Sequence, residues 1–262
     1  MIELKKEQSH IIKDLYGDAY DTTIWSYFQG YHGRAWCNKF DQPTCARILV
    51  GDFCFLAGEP EGVEVQDFLY HGLEGMDRSK FIWIPQNNIW EQAVRQSGNF
   101  EQSTRYALCK NKNQFKTEIL QEYCNQLPSQ YEFREINEEL YYQLLKELWT
   151  QDFVSNYKNV LEFLNHGLGV LVLEGSNIIA GASAYTHYDG GIEVEIATRE
   201  EYRRQGLATI VGARLILECL ALDLYPNWDA ANLYSLAVAK KLGYELSHEY
   251  PVFIMKNNIA TV

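Results

Sequence analysis

The segment that most narrows the fold is IEVEIATREEYRRQGLA, running from Ile192 to Ala208. A strand of alternating β-branched residues enters a charged loop, passes a glycine and opens a long apolar helix. The first N–H groups of a helix have no partner within it and carry partial positive charge. Such an end binds phosphate. No Ser, Thr, Asp or Asn stands at the expected N-cap around Gln205–Gly206, so no side chain is supplied to cap those donors. Gly206 lets main chain approach an anion closely. Arg199, Arg203 and Arg204 gather positive charge at the same place. The segment therefore predicts a pyrophosphate site; a solvated turn with surface arginines would carry the same residues.

The rest of the chain has the opposite sign. The net charge is -12, and residues 128–262 hold ten basic against eighteen acidic residues. An acidic field repels nucleic acid and anionic membranes and suits a cationic partner. No run of apolar residues is long enough to span a membrane, and MIELKKEQSHII lacks the apolar core of a signal peptide. The six cysteines form no CxxC pair, and Cys37, Cys45 and Cys54 with His32 match no zinc spacing. The expectation is a cytoplasmic protein with reduced thiols and no metal.

Pro128 stops a helix predicted over 116–126 and marks a boundary between domains 1–127 and 128–262. The first half reads as α/β, with helices over 3–16 and 21–28, strands over 35–37, 45–56 and 81–84, and a helix and strand over 89–96 and 100–108. The second half reads as a strand (131–136), helices (138–149 and 160–165), and three strands (169–174, 178–187 and 192–198). Asp189-Gly190-Gly191 is a hairpin turn. A helix over 207–222, a short segment over 224–228, a helix over 230–242 closed by Gly243, and a strand over 250–255 complete the order.

Two motifs give this order a family. Arg203-Arg-Gln-Gly-Leu-Ala208 resembles the acetyl-CoA signature of the GNAT superfamily of N-acetyltransferases, and Asn232–Tyr244 resembles its Asn-x-x-Ser/Ala helix ending in Lys-x-Gly-Phe/Tyr. GDFCFLAG, YDGGIEVEIAT, ARLILECL and YPNWDAAN are similar to a bacterial subgroup of about this length, which includes an acetyltransferase for self-resistance to the aminopolyol zwittermicin A. The resemblance implies an α/β fold with a mixed central sheet of GNAT type, preceded by an N-terminal α/β domain that is itself a degenerate GNAT-like fold. It implies transfer of acetyl from acetyl-CoA to a primary amine of a small molecule. The rival functions are an acyl-CoA-binding sensor without transfer, and transfer from aminoacyl-tRNA, against which the charge argues.

By this resemblance Ile196, Ala197 and Thr198 pair with the pantetheine arm. Arg203, Arg204, Gln205, Gly206, Leu207 and Ala208 hold the pyrophosphate, and Asn232 and Ser235 face the cofactor. Glu193 and Glu195 alternate on the strand and share a face. Attack on a thioester needs the free amine, whereas a primary amine with pKa near ~10.4 arrives protonated. A carboxylate attracts that ammonium and takes its proton directly or through water. Glu193 is the expected base, by its distance from the loop in related enzymes, and Glu195 a binding or relay group. Alternating carboxylates facing solvent would look the same. The chain departs from the family at Ala239, where many members carry the tyrosine that protonates the leaving thiolate. Asp229 is expected to cap the helix that comes after it.

Overall fold

A computed structural model describes residues 1–60 and 65–256. The chain divides into two compact units, one of residues 1–104 with the chain from Tyr250 onward, the other Arg105–Glu249. The division does not fall at Leu127–Pro128. Leu120 and Cys124, which precede Pro128, belong to the core of the second unit.

The first unit contains β1 (Ile2–Leu4), α1 (Lys13–Tyr16), α2 (Thr22–Phe28), β2 (Arg34–Cys37), β3 (Cys45–Val50), β4 (Phe53–Gly58), α3 (Val65–Tyr70), β5 (Ile82–Pro85) and α4 (Asn88–Gln96). The single helix expected over 3–16 is instead a strand, a 3-10 turn over Lys6–Ile12 and the short α1. The single strand expected over 45–56 is a hairpin, with Gly51 at φ +57° in its turn. Strands β1 to β4 pair antiparallel in chain order, and β5 lies parallel to β4. Both faces of this sheet are covered. On β3 and β4, Ala46, Ile48, Val50, Phe55 and Ala57 point to one apolar core. Cys45, Leu49, Cys54 and Leu56 alternate with them into another, with Phe68, Trp90 and Val94 from the helices.

Arg47 occupies the remaining inward position of β3 and is fully buried. Its guanidinium donates to the carbonyls of Phe68 (3.0 Å), Leu69 (2.7 Å) and His71, satisfying the C-terminal end of α3. It lies 4.5 Å from the ring centre of Trp36 and 6.0 Å from that of Trp83.

The second unit begins within β6 (Phe100–Leu108) and contains α5 (Thr117–Cys124), β7 (Tyr131–Glu135), α6 (Glu138–Leu144), α7 (Val160–His166), β8 (Gly169–Glu174), β9 (Asn177–Tyr188), β10 (Gly191–Thr198), α8 (Leu207–Ala221), β11 (Tyr225–Asn227), β12 (Asp229–Ala230) and α9 (Leu233–Lys241). The last strand, β13 (Leu246–Met255), starts here and ends in the first unit, where Phe253 and Ile254 pair with Trp83 and Ile82. The helix expected over 138–149 stops at Leu144. The five-stranded sheet has the order β11-β10-β9-β8-β7. Strands β7 to β10 pair antiparallel in chain order and β11 is parallel to β10, so the first unit's strand pattern recurs without a sequence repeat. Helix α8 is apolar nearly all round and packs against β8, β9 and β10. Gly212 admits it: a Cβ there would lie 2.9 Å from Leu242 and 3.4 Å from Ile196.

Replacing Arg47 with Ala strips three buried carbonyls of their donor and leaves a void. The expected loss is about 2–4 kcal/mol in urea denaturation. Arg47→Met, which restores volume without donors, should recover only part of it. A loss below about 1 kcal/mol for Arg47→Ala would show that α3 does not need this cap.

Candidate active site

Strand β10 is paired on both sides at its start and on one side at its end. Gly191, Ile192 and Glu193 pair with Tyr225, Pro226 and Asn227 of β11. After that β11 gives way to β12, whose Asp229 and Ala230 pair with Ala107 and Tyr106 of β6. On the other side β10 stays paired with β9 down to Thr198. The edge of residues 194–198 therefore has no strand beside it among the described residues. A strand edge of this kind presents main-chain donors and acceptors to whatever lies next to it. The expected pantetheine-pairing residues Ile196, Ala197 and Thr198 all fall on this edge.

Beyond Thr198 the loop makes a 3-10 turn over Glu200–Tyr202 and enters α8 through Gly206 at φ +84°. No side chain caps α8, as the sequence predicts. Arg204 is held at φ +64°, a left-handed conformation that is uncommon outside glycine and costs roughly 1–2 kcal/mol. Such outliers concentrate at ligand-binding sites. The loop borders a cavity of about 800 Å³. Thr198, Tyr202, Arg203, Arg204, Gly206, Leu207, Ala208 and Thr209 form one wall, and Asn232, Tyr234, Ala237, Val238 and Lys241 the other. The Thr198 hydroxyl is buried and makes no hydrogen bond. A hydroxyl in that position is costly unless a ligand or water satisfies it.

Not every residue expected at the cofactor lines this cavity. Ile196, Ala197 and Gln205 are outside the cavity lining. Ser235 is outside it too, its hydroxyl accepting from Trp228 Nε1 at 3.1 Å. Asn232 lines the cavity while its side chain caps α9, accepting from the N–H groups of Tyr234 and Ser235. Asp229 does not cap that helix; it is paired with Arg105. Ala239 is fully buried in the core.

Glu193 sits where β10 and β11 part. It is 7% exposed and also lies outside the cavity lining. Its Oε2 accepts from Asn227 Nδ2 at 2.6 Å and its Oε1 from the N–H of Asp229 at 3.1 Å. Arg105 bonds both the carboxylate and the carbonyl of Asp229, so the donor facing Glu193 is itself fixed. Opposite the step from Glu193 to Val194, β9 inserts the extra residue Tyr185. Bulges of this kind often adjoin active sites. Glu195, half-buried, lies opposite Ser183, whose hydroxyl donates to the carbonyl of Phe153 at 2.7 Å.

Burial first, and the Glu193 charge second, push the Tyr188 phenol far above its usual range. Burial does the same to Tyr244. Both donate to backbone, Tyr188 to Tyr225 at 3.3 Å and Tyr244 to Pro226 at 2.6 Å. These two phenols brace the strand ends. No group of three or more His, Cys, Asp or Glu able to hold a metal occurs among the described residues.

Asn227 and the Asp229 N–H, which hold Glu193, are not legible in the sequence as site groups, because their role depends on the register between β10 and β11. Sequence reasoning names no site role for Ala237, Val238 and Lys241, and Tyr234 only as a group that could protonate the leaving thiolate in place of Ala239, although the spacing of all four marks one face of a helix.

The sequence pattern of the GNAT acetyltransferase family matches residues 13–253. A GCN5-related N-acetyltransferase-like protein from Streptococcus suis is 38% identical, with 95% of this chain and 99% of that one covered and a TM-score of 0.88. The uncharacterised N-acetyltransferase YdfB of Bacillus subtilis is 25% identical over 96% of this chain and 97% of its own. A tandem GNAT protein from the clavulanic acid biosynthesis pathway shares the fold, at 12% identity and a TM-score of 0.50 over 85% of this chain and 81% of that one. With most of its length matched, and with strand, loop and helix arranged as described, the chain belongs to the GNAT acetyltransferase family and is an acyltransferase.

Proposed function

We propose that the chain moves acetyl from acetyl-CoA to a primary amine of a small molecule, in the class of aminopolyol antibiotics and amino metabolites to which the zwittermicin A resemblance points. The observation that carries this reading is the parting of β10 from β11 after Glu193 and Asn227, beside the uncapped start of α8. Residues 194–198 offer main-chain groups to an amide-bearing arm. The N-terminal donors of α8, with Arg203 and Arg204, suit the pyrophosphate at the arm's end. Gln205, Leu207 and Ala208 contribute main chain to the same loop, Asn232 closes the cavity from α9, and Ser235 supports it through Trp228. The unsatisfied Thr198 hydroxyl gains a partner when the cavity is filled.

Within this reading, acetyl-CoA is the co-substrate and no metal takes part. Main-chain N–H groups of β10 polarise the thioester carbonyl as negative charge develops on its oxygen. Glu193, held by Asn227 and Asp229, draws in the acceptor ammonium and receives its proton directly or through water. Glu195 contributes to acceptor binding. The amine attacks the thioester carbon, the C–S bond breaks, and the thiolate leaves. Ala239 cannot protonate it, and Tyr188 and Tyr244 donate to backbone. A thiol of pKa near ~8.5 leaves tolerably without a dedicated acid. The acidic chain suits a cationic acceptor, and six unbridged cysteines accord with a cytoplasmic setting.

The first unit, on the same reading, is a degenerate copy that holds no cofactor. Its parallel pair β4–β5 stays joined from Phe53↔Ile82 to Leu56↔Pro85, and the Gln86 N–H adds a further bond to Leu56. The sequence after β4 is Glu59-Pro-Glu-Gly-Val-Glu64, acidic where the second unit is basic.

Free thiol release from acetyl-CoA, measured over a panel of primary amines, tests the reaction; release with none of them would defeat the small-amine assignment. Calorimetry should find one acetyl-CoA per chain. Gly206→Ala forces an L side chain to φ +84° and should weaken that binding about tenfold or more, while costing the fold only ~1–2 kcal/mol. Unchanged affinity in a folded Gly206→Ala protein would remove the loop from the site.

Glu193→Gln keeps shape and removes proton-accepting power. With an accepted amine, kcat should fall by ~10²–10⁴ at neutral pH, and the deficit should shrink as pH rises and the amine arrives deprotonated. Acetyl-CoA affinity should hold. A near wild-type kcat would take Glu193 out of the role, and a pH-rescued defect in Glu195→Gln would transfer it there.

A further inference from the structure

The loop wall of the cavity accounts for one phosphate cluster. The α9 wall carries a separate cation. Tyr234, Ala237, Val238 and Lys241 follow the i, i+3, i+4, i+7 spacing of a single helix face, and all four line the cavity. At 1.5 Å of rise per residue, Lys241 stands about 10 Å along the axis from Tyr234. The cavity therefore runs from the start of α9, beside the cap residue Asn232, to its last turn. A basic residue in that turn complements the helix dipole, and Lys240 and Lys241 both do so. The dipole does not select between them. Lys241 faces the cavity and Lys240 does not. Lys241 takes part in none of the ion pairs found among the described residues, in a chain whose acidic groups outnumber its basic ones by twelve.

Coenzyme A bears two anionic groups at its nucleotide end: the pyrophosphate, and a dianionic phosphate on the 3′ position of the ribose. The start of α8 with Arg203 and Arg204 suits the first. Arg203 is anchored there, its Nε donating to the Thr198 carbonyl at 3.3 Å. We propose that Lys241 recognises the 3′-phosphate and so sets the preference of the site for coenzyme A over its dephosphorylated form. The inference rests on the placement of acetyl-CoA proposed above. The ammonium is a compact point charge on a flexible stem, suited to a phosphate in partly open solvent. An exposed pair of this kind contributes modestly and is screened by salt.

Titration calorimetry of the full chain with coenzyme A and with 3′-dephospho-coenzyme A, at low ionic strength, tests it. The wild type should bind coenzyme A about two- to fivefold more tightly. In Lys241→Ala that ratio should fall to near one, through weaker binding of coenzyme A alone, with dephospho-coenzyme A unchanged. Lys240→Ala should keep the wild-type ratio. A wild type without preference, or a Lys241→Ala variant that retains it, overturns the assignment of Lys241 and leaves the acetyl-CoA site standing. Equal losses for both ligands in Lys241→Ala also overturn it, placing Lys241 at a shared part of the molecule. Failure of both ligands to bind wild type overturns the cofactor reading itself.

Discussion

Main-chain hydrogen bonding is the constraint on which the second unit depends. Every N–H and C=O inside a protein needs a partner, and a sheet normally supplies it from the next strand. Here β11 accompanies β10 for three residues and then turns away to continue toward β6 as β12. Past that point the outer edge of β10 is left by the fold to something else. The start of α8, five residues after the loop's 3-10 turn, has the same property, since Gly206 brings no capping side chain. Among the described residues, a strand edge with no neighbouring strand and a helix start with no side-chain cap therefore follow one another along the chain.

The neighbourhood of Glu193 shows how the parting is held. The carboxylate bridges the two strands at the last residue where they pair, taking one bond from the Asn227 side chain and one from the first N–H of β12. Arg105 secures Asp229 from β6. The charge is buried, yet each donor is directed at it, which is the condition for a buried carboxylate to be tolerated. The same group is thus a structural clasp at the strand junction, one residue before the unpaired edge begins.

Much of this is legible in the sequence. The alternation IEVEIAT marks β10, the missing cap residue before Leu207 marks an open helix start, and Asp189-Gly190 marks the hairpin that aligns β9 with β10. The first half is harder. CARILVGDFCFLAG reads as one apolar run because both faces of its sheet are buried, which erases the polar alternation that marks a strand's limits. Only Gly51-Asp52 betrays the turn. Asn227 cannot be read at all, because its value lies in facing Glu193 across a parallel register. Asp229 looks like a cap, but Asn232, three residues later, performs that function, while Arg105 lies 124 positions upstream.

The path of the last strand has a consequence for how the molecule is made. Its end supplies Val252 and Phe253 to the two cores of the first unit and pairs beside β5. On a ribosome, the residues of β1 to β5 emerge early, but the sheet that they begin is completed only when residues some 170 positions later have been synthesised. The second unit, contiguous from Arg105 to Glu249, can close first. The part of the chain that is born first is thus the part that finishes last, and until then it must keep an apolar sheet edge from pairing with the wrong neighbour.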